Sequence, residues 1–234
     1  MKKKVLCIVL ARLNSKRLRG KVLKKFGKKE PSIFDFFIKR IRLSKEIDKV
    51  VLATTNKKND KVLVKIAKKN KLDFFCGKET DVLDRFFKVT KKYESEYEYI
   101  VRANVDCPFF MPTVLDTMIK KFKISNKDFY SPFAQNIYPF GFTFCLFKKK
   151  CIFKIKRKAR SKRYKEHIEN FCLENKKLFR RYKPKIKKFI APEINITLDT
   201  QNDFIKLKKI YFYLKKFSFK IQPQKLIRYY RNNL

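Results

Sequence analysis

The chain has 234 residues, 44% of them hydrophobic, including 25 Phe and 11 Tyr, enough apolar area for a folded core, which excludes a disordered basic tail. Lysine and arginine number 62 against 21 acidic residues. That formal charge of +41 attracts anions, but it is spread along the chain instead of forming one basic stripe with interleaved aromatics, so a specific nucleic-acid partner is not expected.

With four glycines and abundant Lys, Ile, Phe and Asn, the composition is that of a very AT-rich coding sequence, which accounts for most of the charge. The six cysteines form no CxxC pair, and a lone histidine completes no zinc-finger spacing. No apolar run approaches the roughly 20 residues that span a bilayer. The opening MKKKVLCIVLARL has too short an apolar core for a secretory signal. A cytoplasmic protein with no membrane segment follows, and with no linker-like stretch the expectation is a single domain over residues 1–234.

In chain order, Lys4 to Leu10 read as a buried strand. PSIFDFFIKRIRL then places Ile33, Phe37, Ile38 and Ile41 on one helical face, with Pro31 and Ser32 suited to its start. KVVLATT is a β-branched strand, NDKVLVKIAKKN an amphipathic helix, LDFFC a strand, TDVLDRFFKVTKKY a helix and YEYIVRA a strand. MPTVLDTMIKKF returns to helix, with Pro112 in its first turn and Val114, Leu115, Met118 and Phe122 facing inward. After about residue 127 the pattern loosens. DFYS and FTFCLF come first, then a basic helix near 148–160, a helix around 163–175, the strand INITLD and the helix QNDFIKLKKIYFYLKK. This β-α alternation predicts an α/β fold, a mostly parallel Rossmann-like sheet with helices on both faces.

Ligands of open α/β sheets collect at the carboxyl ends of the strands, and the polar motifs of this chain fall there. LARLNSKRLRGK follows the first strand, TTN ends the second, GKETD follows the third, RANVDCP ends the fourth and LDTQND follows the strand near 199. The first loop, rich in basic side chains around a serine and a glycine, suits a phosphate chain held by backbone N–H groups and arginines, and equally suits a solvated strand end. It is neither a GxGxxG turn nor a Walker A loop. Asp106 and Asp199 are acids at strand ends far apart in sequence, and two carboxylates with substrate phosphates are sufficient to hold Mg2+. Aspartate also caps helices, and that is the alternative reading of both.

The loop LARLNSKRLRGKVL resembles the cytidylyltransferase motif QARxxSxRLPGKxL of the spore-coat-polysaccharide, 3-deoxy-manno-octulosonate and acylneuraminate cytidylyltransferases. VLATT, DVLDRF, VRANVDCP, EHI and LDTQNDF resemble later motifs of that family in the same order, so the likeness covers most of the chain. The resemblance implies the nucleotide-diphospho-sugar transferase fold and transfer of a nucleotidyl group from CTP to a sugar acid. It assigns Ala11, Arg12, Ser15, Arg17, Gly20 and Lys21 to a triphosphate loop, with Arg12 and Lys21 as direct phosphate ligands and Gly20 allowing close backbone approach. It assigns Thr54, Thr55, Asp81 and Arg85 to the base side, Gly141 and His167 to the sugar side, and Asp106 and Asp199 to Mg2+.

Leu10 stands where the family has glutamine, Arg19 where it has proline, and Phe140, Thr143 and Cys145 where acids are common. These departures leave two rivals: an inactive relative whose basic surface binds nucleic acid, and a nucleotidyltransferase for another base. Homodimerisation is a further expectation from the resemblance. The aromatic segment Phe129 to Phe147 is suited to an interface or to a core.

Overall fold

The computed structural model describes residues 3–217 and 222–234. Its strands are β1 (Lys4–Leu10), β2 (Lys49–Thr55), β3 (Asp73–Gly77), β4 (Tyr97–Asn104), β5 (Phe129–Tyr130) and β6 (Cys145–Lys148). Its α-helices are α1 (Ile33–Ile41), α2 (Lys61–Lys69), α3 (Val82–Lys92), α4 (Pro112–Ile124), α5 (Lys149–Lys158), α6 (Lys162–Glu166), α7 (Ile168–Glu174), α8 (Gln201–Lys215) and α9 (Pro223–Asn233).

The sheet runs β3-β2-β1-β4-β6-β5, with β1 to β4 parallel and β6 antiparallel to both β4 and β5. Successive side chains of β1 point to opposite faces, and both faces are covered. Val5, Cys7 and Val9 meet α1, α4, α8 and α9, whereas Leu6 and Ile8 meet α3, α5 and α7. The aromatic segment joins these cores: Phe129, Tyr130, Phe142, Phe144 and Phe147 are all buried. Among the described residues no helix is long and apolar enough to cross a membrane.

Helix starts follow local chemistry. Ser32 caps α1 by accepting from the Asp35 amide, and Asp81 caps α3 by accepting from the Asp84 amide at 2.8 Å. Thr200 caps α8 in a capping box with Asp203.

Three expectations are corrected. Ile194 to Asp199 is not a strand. It is a buried extended segment with one isolated bridge, in which Phe140 N donates to Ile194 O and Ile196 N to Phe140 O. Its apolar alternation is real, since Ile194, Ile196 and Leu198 are buried, but among the described residues no strand forms a ladder with it. The helix expected around 163–175 is split at His167, whose backbone (φ −113°, ψ 82°) closes α6 and opens α7. Lastly, the chain ends in a helix, α9, that begins at Pro223 and that the sequence reading leaves out.

Candidate active site

The carboxyl ends of β1 and β4 open into a cleft of about 680 Å3. Strand order reverses at this place: β2 and β3 lie to one side of β1 and β4 to the other, so the loops leaving β1 and β4 part and make room. The loop after β1 turns back on itself, Ser15 N and Gly20 N both donating to Leu13 O at 2.9 Å. Leu13 N donates to Asp60 Oδ1 at 2.8 Å, which ties the loop to the base of α2. Gly20 sits at φ 65°, the left-handed region, and a Cβ there would meet nothing within 4 Å. Its conformation, and not a close approach, is what calls for glycine.

That turn delivers Lys21 into the cleft. Its Nζ donates to Asp106 Oδ2 at 2.8 Å, to Asp199 Oδ1 at 3.1 Å and to Leu198 O at 2.6 Å. Burial opposes the ammonium charge, but Asp106 and then Asp199 outweigh it, so Lys21 titrates above its ordinary value. Asp106 comes from the loop after β4. Asp199 is fixed by Leu198 N donating to Asp106 O and by its own amide donating to Asp203 Oδ2. Three segments distant in sequence thus meet at one ammonium. Neither aspartate caps a helix: Thr200 does so for α8, and Met111 stands at the start of α4.

Arg12, Ser15, Arg17, Arg85 and His167 also line the cleft. Arg12 pairs with Glu166 at 2.9 Å, and Arg17, 65% exposed, reaches Asp199 Oδ1 at 2.8 Å. Ala11 is buried in the wall. Arg85 is buried; burial, then the charge of Arg12, lowers its pKa, and its Nη1 holds the carbonyls of Lys78 and Glu79.

Other expected residues lie elsewhere. Thr54 and Thr55 are buried at the end of β2 and are not among the residues that line the cleft; Thr55 Oγ1 donates to Asp60, which holds the loop, while Thr54 Oγ1 has no hydrogen-bond partner. Asp81 is engaged as the cap of α3, with Lys165 3.8 Å away. Gly141, at φ 103°, packs where a Cβ would meet Ile196 and Thr197 at 3.2 and 3.3 Å, and braces the turn before β6 without lining the cleft.

Further cleft residues carry no assignment from the sequence. Arg102 on β4 and Glu169 on α7 form a buried ion pair, Nη1 to Oε2 3.2 Å, although Arg102 Nε and Glu169 Oε2 make no hydrogen bond. The signal for Arg102 is a charge in the middle of the apolar strand YIVRAN; for Glu169, which sits in the first turn of α7, there is none. Phe133, Phe140 and Leu173 give the same cleft an apolar wall. Its lining holds six basic side chains against four acidic ones, an excess that favours a polyanion.

The donor set fits a hard divalent cation. Two short carboxylates, each about a third exposed, converge on one point, and Asp106 Oδ1 and Asp199 Oδ2 are not engaged by Lys21. Among the described residues no group of three or more His, Cys, Asp or Glu could hold a metal ion, so a cation held by these two aspartates would take its remaining ligands from substrate and water. A larger concavity of about 830 Å3, between α3, α5 and residues 178–180, contains neither aspartate.

A family model described as cytidylyltransferase matches residues 6–232. The spore coat polysaccharide biosynthesis protein SpsF of Bacillus subtilis is 31% identical over 213 residues, covering 88% of this chain and 86% of that one. A cytidylyltransferase structure from Leptospira borgpetersenii superposes with a TM-score of 0.88 at 28% identity, covering 99% of this chain and 95% of that one. The fold also matches CMP:2-keto-3-deoxy-manno-octonic acid synthetase in complex with CTP, with a TM-score of 0.65 at 13% identity, covering 90% of this chain and 99% of that one. The strand-end motifs, the sheet order and a match across nearly the whole chain agree, and the protein belongs to the cytidylyltransferase family, nucleotidyltransferases of the nucleotide-diphospho-sugar transferase fold.

Proposed function

We propose that this protein transfers the cytidylyl group of CTP to a hydroxyl of a 2-keto-3-deoxy or nonulosonic sugar acid, giving a CMP-sugar and pyrophosphate for a surface polysaccharide. The observation that carries this reading is the meeting of Asp106, Asp199 and Lys21 at the floor of a basic-walled cleft. The names of SpsF and of the CTP-bound synthetase support the polysaccharide and the nucleotide respectively.

In the reaction, the sugar oxygen forms a bond to the α-phosphorus in line as the bond to the pyrophosphate oxygen breaks; that oxygen keeps the electron pair, and the hydroxyl proton leaves. The demand on the protein is positioning and charge neutralisation. Arg12 and Arg17 hold the triphosphate from the loop after β1, with Lys16 adding charge at the rim. Asp106 and Asp199 would hold Mg2+, which when bound would neutralise charge building on the phosphate oxygens. His167, exposed at the break between α6 and α7, lies on the cleft edge where an imidazole can orient the attacking hydroxyl and take its proton. Phe133, Phe140 and Leu173 supply an apolar wall for the acceptor.

The test is pyrophosphate release from CTP and Mg2+ across a panel of such sugar acids, with the four nucleoside triphosphates in competition. Release with one acceptor and a CTP-dependent rise in melting temperature are expected. Silence across the panel with no thermal shift refutes the proposal, and a preference for another triphosphate refutes the base.

A further inference from the structure

We infer that the buried pair Arg102–Glu169 reads neighbouring hydroxyl groups of the acceptor sugar, while Phe133 and Phe140 take its C–H face, so that these side chains set which acceptor is used. This rests on the reading of the cleft as the site of cytidylyl transfer to a sugar. His167, Glu169, Asn170 and Leu173 line the cleft from α7 and its start, and Arg102 meets Glu169 from β4. Burying two charges is repaid only when their geometry and hydrogen bonds are good. Here the side chains are 8% and 9% exposed and Nη1 lies 3.2 Å from Oε2, yet among the described residues Arg102 Nε and Glu169 Oε2 make no hydrogen bond. The residue across the ladder from Arg102 is Cys145, a thiol that burial pushes up to about 12 and so keeps neutral. Two apolar side chains of similar volume would serve the fold as well, so the charges answer to what enters the cleft.

What the pair recognises follows from its charge. It is neutral as a unit, and Glu169 repels a carboxylate or a phosphate at this spot. A sugar hydroxyl is both donor and acceptor: its O–H donates to the carboxylate, and its oxygen accepts from the guanidinium. An acceptor-only group beside a donor-only group therefore fits two adjacent hydroxyls. Phe133 and Phe140, ring centroids 4.9 Å apart, both line the cleft, and Phe140 is 43% exposed, so their rings offer an apolar surface to the C–H side of a sugar ring.

The test compares full-length wild type with Arg102→Met/Glu169→Leu in pyrophosphate release from CTP and Mg2+. The acceptor is the acid that wild type uses, from a panel that includes 3-deoxy-manno-octulosonic and N-acetylneuraminic acids, together with its monodeoxy analogues. The variant is expected to raise KM for the acceptor by roughly tenfold or more while its calorimetric affinity for CTP stays within about twofold of wild type, as when hydrogen bonds to charged groups are lost at one substrate only. In wild type at least one analogue should lose roughly tenfold in kcat/KM, and in the variant that penalty should shrink to within about twofold, since the partner of the missing hydroxyl is already gone. A pair that serves only the fold moves neither reading. An acceptor KM within about twofold of wild type, a loss of CTP affinity that matches the acceptor's, or an analogue penalty that persists in the variant overturns the inference. If the double variant does not fold, Arg102→Lys carries the same comparison, since it keeps the ion pair and loses the planar fork. Wild type that uses no acid of the panel overturns the functional reading and this inference together; an active wild type with a variant that discriminates as before overturns only the inference.

Discussion

The buried pair Arg102–Glu169 gives a prediction whose size follows from its surroundings. Replacing Glu169 with Leu leaves the Arg102 guanidinium buried without its counter-charge. Breaking a buried pair in this one-sided way costs about 3–5 kcal/mol. Nη1 lies 3.2 Å from Oε2, Nε and Oε2 make no hydrogen bond, and both residues border the cleft. The lower figure, about 3 kcal/mol, therefore applies. For a chain of this length that is a fall in Tm of about 6–12 °C, which calorimetry or circular dichroism resolves. The double variant Arg102→Met/Glu169→Leu replaces both charges with apolar groups and should return to within about 1 kcal/mol of wild type, because the cost lies in the orphaned charge. If the double variant falls by the sum of the two single losses, the pair is not coupled and the reasoning fails.

Three more outcomes follow from the geometry. Asp106→Asn and Asp199→Asn should each lower turnover by about a hundredfold or more while keeping the fold, since Lys21 retains two of its three acceptors; an unchanged rate removes that residue from the site. Gly20→Ala should cost about 1 kcal/mol from its left-handed backbone alone, and Gly141→Ala more, because its added methyl also meets Ile196 and Thr197; the reverse order in urea unfolding contradicts this. Burial by itself would raise the pKa of Asp84 and Asp128, but bonds from Lys156 and Lys88 to the first and from Arg180 to the second outweigh it and hold both below the ordinary carboxylate value. Their stabilisation is thus complete above about pH 4 and fades as pH falls through the depressed values, so the Asp84→Asn/Asp128→Asn variant should show a shallower loss of stability between about pH 4 and pH 2 than wild type.

The parallel half of the fold was legible because β1, β2 and β4 are runs of apolar residues buried on two sides, while α1 and α3 carry apolar residues on one helical face and capping side chains at their starts. The segment Ile194–Asp199 misleads since alternation reports burial and says nothing about a neighbouring strand, and among the described residues an isolated bridge to Phe140 stands in place of a ladder. The break at His167 depends on one residue's backbone angles, which no periodicity encodes. At the cleft, strand-end position located Lys21, Asp106 and Asp199, but it cannot tell which side of a strand end faces a ligand. Thr55 and Asp81 share that position, yet the first turns to Asp60 and the second to a helix start. Arg102 and Glu169 come together only through the packing of α7 over β4.

The contacts of Lys21 also bear on the order in which the molecule assembles. Its acceptors lie 85, 177 and 178 residues further along the chain. Emerging from the ribosome, the first four strands can pair while two of those acceptors are still unsynthesised, and closing so long a loop is a slow step. Competence should therefore arrive last, with the docking of the C-terminal helices, and a nascent chain halted before Leu198 would carry a largely formed sheet that has no working centre.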